Sequence, residues 1–302
     1  CHQALERLGA AINGGPVNHV VEADIKGFFD NVSHETLLCF LRRRIADRSL
    51  LTLIERFLKA GYIDNGLLVR TDEGTPQGSI LSPLLANIFL HYVLDEWFET
   101  EVKSRATGYC ELIRYADDFV CLTQRAEDAG RIFEELDRRF AEHKLQIHPD
   151  KSRRLSFGRF ERENAARAGR KPNTFDFLGL THYCDTTRKG EFKVGRKTSR
   201  KKFNAKCKAL SEWLKSKRNS ARTKDWWKTL GAKLRGHYQY YGVSENFRGI
   251  LSFYKRAKYL VRKWLNRRSQ KGRMGWDSFE RYLEKYPLPK PRITHSFYGS
   301  QS

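Results

Sequence analysis

No stretch of these 302 residues is both long and apolar enough to cross a bilayer, and the first residues lack the charged-then-apolar pattern of a secretion signal. A bundle of membrane-spanning helices is therefore excluded as a reading. The six cysteines (Cys1, Cys39, Cys110, Cys121, Cys184 and Cys207) contain no Cys-x-x-Cys pair and are scattered through apolar segments. Buried thiols in a reducing compartment are expected, not a disulfide framework or a zinc site. No internal repeat is found. The sequence opens on Cys1, with no initiator methionine, at what reads as the start of a helix, so the chain is expected to be a fragment.

Positive charge is what the sequence has in excess, and its distribution says more than the net +22. From Thr186 onward there are 32 Lys and Arg against 7 Asp and Glu; Cys1 to Asp185 holds 25 against 28. A solvated basic surface or a ribosomal-type tail would also be basic. Here, however, aromatics run through the same region (Trp213, Trp226, Trp227, Tyr238, Phe253, Trp264), which predicts a folded body. Segregated charge of this size points to a polyanion partner, held by salt-dependent phosphate contacts. Two domains are expected, 1–185 and 186–302.

The apolar spacing predicts a helix over His2 to Ile12, a strand over Val17 to Ile25, and helices from His34 to about Ile45 and from Ser49 to Ala60. A short strand is expected at Leu67 to Arg70. Ser82 followed by Pro83 marks a helix start that runs to about Lys103. Strands are expected at Cys110 to Tyr115 and Phe119 to Thr123, then a helix from Glu127 to His143 and a strand near Leu145 to Ile147. That order is a split βαβ, ferredoxin-like sheet, so the fold class is α+β. Arg159 to Asn173 reads as an exposed loop, and Phe175 to Val194 as a hairpin. Beyond Thr198 everything reads as helix, over about 199–218, 223–240, 245–269 and 276–285.

Asp117 and Asp118 fall at the junction of two apolar strands. Two ionised carboxylates at a tight hairpin repel each other unless a cation neutralises them. A turn with no such role would favour Asn-Gly or Asp-Gly, although paired acids are also common in surface turns. Asp24 stands at the end of another apolar strand, a costly place for an unpaired charge. If those strands are neighbours, three carboxylates converge, an arrangement suited to two Mg²⁺ ions and phosphoryl transfer.

Arg114-Tyr-Ala-Asp-Asp-Phe-Val120 resembles the Tyr-x-Asp-Asp signature of reverse transcriptases, with Ala116 in the form common to group II intron-encoded and related bacterial enzymes. Asp24-Ile-Lys-Gly-Phe-Phe-Asp30 is similar to the first catalytic-aspartate motif, and the segment from Gly74 to Asn87 to the long motif between them. The resemblance continues through Phe175-Asp-Phe-Leu-Gly179 and into the basic helices. It implies a reverse-transcriptase palm followed by an all-helical basic thumb and maturase region. The implied activity is RNA-directed DNA polymerisation of the group II intron type.

The same resemblance implies residue roles. Asp24, Asp117 and the carbonyl of Ile25 would bind Mg²⁺, with Mn²⁺ as a substitute, and Asp118 would complete the acidic cluster. Phe29 would be the steric gate against a 2′-hydroxyl, with Phe28 the neighbouring candidate and a core phenylalanine the plain alternative. Gln77 and Gly78 would adjoin the incoming dNTP. Lys151 would protonate the pyrophosphate leaving group, or be ordinary surface. Phe177, Leu178 and Gly179 would form the primer grip. Arg196, Lys197, Arg200, Lys201, Lys202 and Arg235 would contact nucleic acid, as generic phosphate contacts. The implied partners are an RNA template, a DNA primer and a group II intron RNA, in the bacterial cytoplasm. Leu234 to Gly242 is similar to a maturase segment.

The family carries a fingers segment ahead of its first aspartate motif. Only one helix precedes Asp24 here, so an N-terminally truncated chain is expected. The alternatives are a non-catalytic RNA-binding maturase and a bacterial reverse transcriptase domesticated for defence or a CRISPR system. A palm-fold cyclase has no place for Gln77-Gly78 or a basic thumb.

Overall fold

The structure, a computed structural model, describes residues 1–64, 67–69, 73–75, 81–220, 222–268 and 272–297. Two compact units emerge. The first comprises Cys1 and residues 3–173 and 186–193; the second comprises His2 and residues 174–185 and 194–302.

The first unit begins with α1 (His2–Gly14), whose buried Leu5, Leu8 and Ile12 recur at helical spacing, and continues into β1 (His19–Ala23). Ser33 caps α2 (His34–Arg42) by accepting from the Thr36 amide, and Asp47 caps α3 (Arg48–Lys59) through the Ser49 and Leu50 amides. A short antiparallel pair, β2 (Tyr62–Asp64) and β3 (Leu67–Val69), follows. The apolar α4 (Ser82–Leu90) runs on through wide π-type turns at His91–Glu96 and Phe98–Val102 into the short α5 (Lys103–Arg105). Then come β4 (Cys110–Tyr115), β5 (Asp118–Thr123), α6 (Ala126–Glu142), β6 (Arg153–Ser156) and α7 (Glu161–Arg167).

Four of these strands form an antiparallel sheet in the order β4-β5-β1-β6. Taken in sequence order that is the ferredoxin-like arrangement, as expected. Helix α6 packs against β1, β5 and β6, burying Ala129, Ile132, Leu136 and Phe140 on one stripe. These join Val21, Ala23, Phe28, Phe89 and Phe119 in one core, which fixes the sheet that carries the acidic residues.

Two expectations are corrected. The fourth strand is β6, not Leu145 to Ile147, where only Ile147 makes an isolated bridge, to Ile25. β6 is an edge strand rich in arginine, and Arg153 donates to Glu22 directly across the ladder (3.0 Å). The segment Arg159 to Asn173 contains α7. Glu161 is buried and accepts from both Arg170 Nη atoms (2.6 and 3.1 Å) and from the Asn173 amide (2.8 Å). A seven-residue helix pinned by one ion pair leaves no periodic trace in the sequence.

The second unit holds an antiparallel three-stranded sheet, β7 (Thr174–Phe177), β8 (Leu180–Thr186) and β9 (Phe192–Thr198), ordered as in the chain. Helices α8 (Arg200–Ser220), α9 (Thr223–Tyr241), α10 (Phe247–Leu265) and α11 (Trp276–Lys285) follow, close to the expected spans. None of the cysteines forms a disulfide. Among the described residues no helix is long and apolar enough to cross a membrane.

Candidate active site

Asp24 follows the last residue of β1, where Ala23 pairs with Phe119 of β5. Extending that register by one step sets Asp24 level with Asp118. Its backbone is fixed on both sides by the turn that leads into β6. The Asp24 amide donates to Ser152 Oγ (3.0 Å), and its carbonyl accepts from the His148 amide (2.8 Å). Ile25 is buried and bridges Ile147. The same turn delivers Lys151, whose Nζ lies 2.6 Å from Asp24 Oδ2. Two expected site residues are thus brought together from 127 positions apart.

The β4–β5 hairpin is as tight as the sequence implied. Tyr115 pairs with Asp118, which leaves Ala116 and Asp117 as the turn. Ala116 has φ +57°, a left-handed conformation that alanine rarely adopts. The turn also has a partner that sequence reasoning missed. Arg114 reaches from β4 to the Ala116 carbonyl (2.8 Å) while its guanidinium holds Asp95 and Asn87.

Asp24, Asp117 and Asp118 offer carboxylate oxygen only, the donor type that suits Mg²⁺ rather than zinc or copper. The donor chemistry and the placement at one end of adjacent strands fit such an ion. The side chains do not form a closed ligand set as they stand, since Asp24 is engaged by Lys151. Among the described residues no three His, Cys, Asp or Glu side chains gather tightly enough to hold a metal.

Phe28 and Phe29 lie in a 3₁₀ turn, Phe28–Asp30. Phe28 is buried against Phe89, whereas Phe29 is half-buried and packs at the margin of the core. The Phe29 carbonyl accepts from the Thr75 amide (2.7 Å), and the Val32 carbonyl from the Gly74 amide (2.8 Å). Buried His34 places a ring nitrogen 2.5 Å from the Gly74 carbonyl. Gly74 itself has φ +88°, and a Cβ there would stand 2.8 Å from the Asp30 carbonyl oxygen. Glycine is required there on both counts. This staple ties the Phe29 turn to the start of the long 74–87 segment. Gln77 and Gly78 lie outside the described residues.

In the second unit, Leu178 and Gly179 form the turn between Phe177 of β7 and Leu180 of β8, both at positive φ (+50° and +75°). Phe177 and Leu178 are buried. Tyr240 Oη donates to the Leu178 carbonyl (3.2 Å), and the Ser199 amide to that of Gly179 (3.0 Å). The expected primer grip is thus a tight turn braced by α9 and by the residue preceding α8.

Lys197, Arg200, Lys201, Lys202 and Arg235 are exposed, as a phosphate-binding surface needs. Arg196 is not: it is 1% exposed, with its guanidinium 4.9 Å from the centre of the Phe297 ring. Its placement on the nucleic-acid surface is corrected; β9 alternation turns it inward while Lys197 faces out. Near it His182 is buried, stacked on Phe175, and burial with the Arg196 charge pushes its imidazole down to about 3. In the Leu234–Gly242 segment, His237 stacks on Phe253 at 3.8 Å, and burial followed by the Lys206 charge pushes it down to about 4.

Residues 3–182 match the family model described as reverse transcriptase (RNA-dependent DNA polymerase). The chain is 50% identical over 91 residues to the group II intron-encoded protein LtrA of Lactococcus lactis, a stretch covering 30% of this chain and 15% of that protein. It is 34% identical over 164 residues to protein YkfC of Escherichia coli K12, covering 44% of this chain and 42% of the other. A 91 kDa protein in the cob intron of Schizosaccharomyces pombe is 41% identical over 99 residues, 33% of this chain and 12% of that protein. In each case the match spans less than half of the relative's own length.

Proposed function

Because this chain belongs to the reverse transcriptase family, we propose that it is the core of a group II intron-type RNA-directed DNA polymerase, adding dNTPs to a primer 3′ end. The observation that carries this reading is the strand register. It sets Asp24 beside the hairpin that bears Asp117 and Asp118, at one end of the four-stranded sheet. Asp24, Asp117, Asp118 and the Ile25 carbonyl would hold Mg²⁺, or Mn²⁺ in its place. Bound there, such ions would supply charge stabilisation for phosphoryl transfer.

The chain's own residues then have distinct tasks. Lys151 neutralises Asp24 when no metal is bound and, once released, would act as the proton donor to the departing pyrophosphate. Phe29 stands beside the nucleotide's sugar, where its ring refuses a 2′-hydroxyl, and Gln77 and Gly78 would serve the incoming dNTP as the resemblance implies. Phe177, Leu178 and Gly179 hold the primer end. Lys197, Arg200, Lys201, Lys202 and Arg235 grip phosphates of the template–primer and of an intron RNA. The 1–185 part would serve as palm and the 186–302 part as thumb and maturase region.

Extension of a DNA primer on poly-rA with dTTP and Mg²⁺ tests the reading. Asp117→Asn is expected to abolish it; extension unchanged by that substitution would overturn the mechanism. A second role, intron RNA binding, is favoured by the exposed basic side chains of α8 and α9. Binding and splicing that survive Asp117→Asn with Asp118→Asn would separate it from polymerisation.

A further inference from the structure

Arg114 stands three residues before Asp117, and its guanidinium makes four hydrogen bonds. Nε and Nη2 donate to the two carboxylate oxygens of Asp95 (2.7 and 2.5 Å). Nη1 donates to Asn87 Oδ1 (2.9 Å) and to the backbone carbonyl of Ala116 (2.8 Å). Asn87 is held in turn, because its Nδ2 donates to the Pro83 carbonyl one helical turn earlier (2.9 Å). The Arg114 side chain is only 13% exposed.

A bidentate pair with Asp95 would by itself satisfy a structural arginine. Beyond that pair, Nη1 is directed at Asn87 and at the carbonyl of Ala116, the residue at φ +57°. An alanine stays in that conformation only where its surroundings over-determine it, and such backbone strain concentrates at functional turns. The charge-assisted bond from Arg114 does the determining. Asn87 also closes the long 74–87 segment, so one guanidinium joins the helix after the nucleotide motif to the turn bearing the acids.

We propose that Arg114, seated by Asp95 and Asn87, is a positioning residue that locks the Ala116–Asp117 turn and so sets the carboxylates for a divalent cation. This rests on the polymerase reading above. Lysine cannot substitute: a single ammonium on a flexible stem lacks the planar fork that reaches Asp95, Asn87 and Ala116 together.

The test uses the full chain with Arg114→Lys, Asn87→Ala and, as a control on the polymerase reading, Asp117→Asn. Primer extension is measured for kcat, for the KM of dTTP and for the Mg²⁺ requirement, alongside amide hydrogen exchange at Ala116 to Asp118 and thermal melting. Arg114→Lys is expected to lower kcat about 100-fold, the scale of a misplacement near 1 Å, with a KM change under roughly 3-fold and a raised Mg²⁺ requirement. Asn87→Ala should lose roughly 10-fold in kcat through the same coupling. Exchange at the turn should quicken in both, while the rest of the sheet stays protected. A merely structural pair would instead loosen α4 and the sheet together, with no kcat-against-KM split.

Unaltered kcat, Mg²⁺ requirement and turn exchange in both variants would overturn the proposal. If Arg114→Lys fails to fold, Asn87→Ala decides, since it removes an exposed amide from an intact helix. If the unsubstituted chain extends no primer, or Asp117→Asn is fully active, the polymerase reading falls. The exchange at Ala116 to Asp118 then still decides the lock.

Discussion

Lys151 Nζ and Asp24 Oδ2 lie 2.6 Å apart, so the first acid of the site is met by a cation carried on the chain itself. The two side chains are 53% and 34% exposed, and a pair so open to water contributes little to stability, about 1 kcal/mol at most. On the proposed metal site its consequence is electrostatic competition, because an ion reaching Asp24 would have to displace the ammonium.

Lys151→Ala should therefore act in two directions. The Mg²⁺ concentration for half-maximal primer extension should fall, since the competing cation is gone. The maximal rate should fall by about 100-fold if the lysine is the proton donor, the lower end for general-acid catalysis. A magnesium titration of extension rate separates the two effects. An unchanged Mg²⁺ requirement would show that the ion pair does not compete.

Phe28 and Phe29 should part company when truncated. Phe29→Ala, at the margin of the core, should admit ribonucleotides, read as a rise in rNTP relative to dNTP incorporation with a small loss of stability. Phe28→Ala empties a position packed against Phe89 and should cost about 3–5 kcal/mol in unfolding free energy with sugar selectivity retained. Selectivity that follows Phe28 instead would reverse the assignment.

That distinction shows where the sequence was legible. Apolar spacing placed Asp24 at the end of one strand and Asp117–Asp118 at the junction of two others, because alternation and turn chemistry are local; that these strands adjoin comes from the sheet register. The Lys151–Asp24 pair, the Arg114 clamp and the His34–Gly74 staple join residues 127, 2 and 40 positions apart through side-chain and backbone polar atoms. No periodicity encodes such contacts. β6 went unread because an arginine-bearing edge strand lacks an apolar signature. Arg196 misled because charge predicts a surface, whereas β9 turns it inward beneath Phe297.

Asp128 is a further polar residue that the spacing did not single out. It is buried at the start of α6, accepting from the Thr107 amide (3.2 Å), the Gly108 amide (3.0 Å) and Arg131 Nη2 (2.6 Å), which sets the loop entering β4. Asp128→Ala leaves those donors without a partner and should destabilise the chain by about 3–5 kcal/mol. Chemical denaturation measures it. A loss below about 1 kcal/mol would mean that water replaces the carboxylate.

His182 and His237 predict an acid sensitivity. Both imidazoles are buried and held neutral, pushed down to about 3 and about 4 from the ordinary 6.5. The unfolded chain takes up protons near pH 6.5 and the folded chain does not, so between those values the unfolded state binds more protons and stability rises with pH. The stabilisation is full above about pH 6.5 and drains away as pH falls toward 4. For His237 the shift corresponds to a change on the order of 3 kcal/mol. Denaturation at pH 7, 5.5 and 4.5 should show progressive loss, and His237→Phe, which keeps a ring against Phe253, should flatten that dependence. A variant that loses stability on acidification as steeply as the parent would place the sensitivity elsewhere.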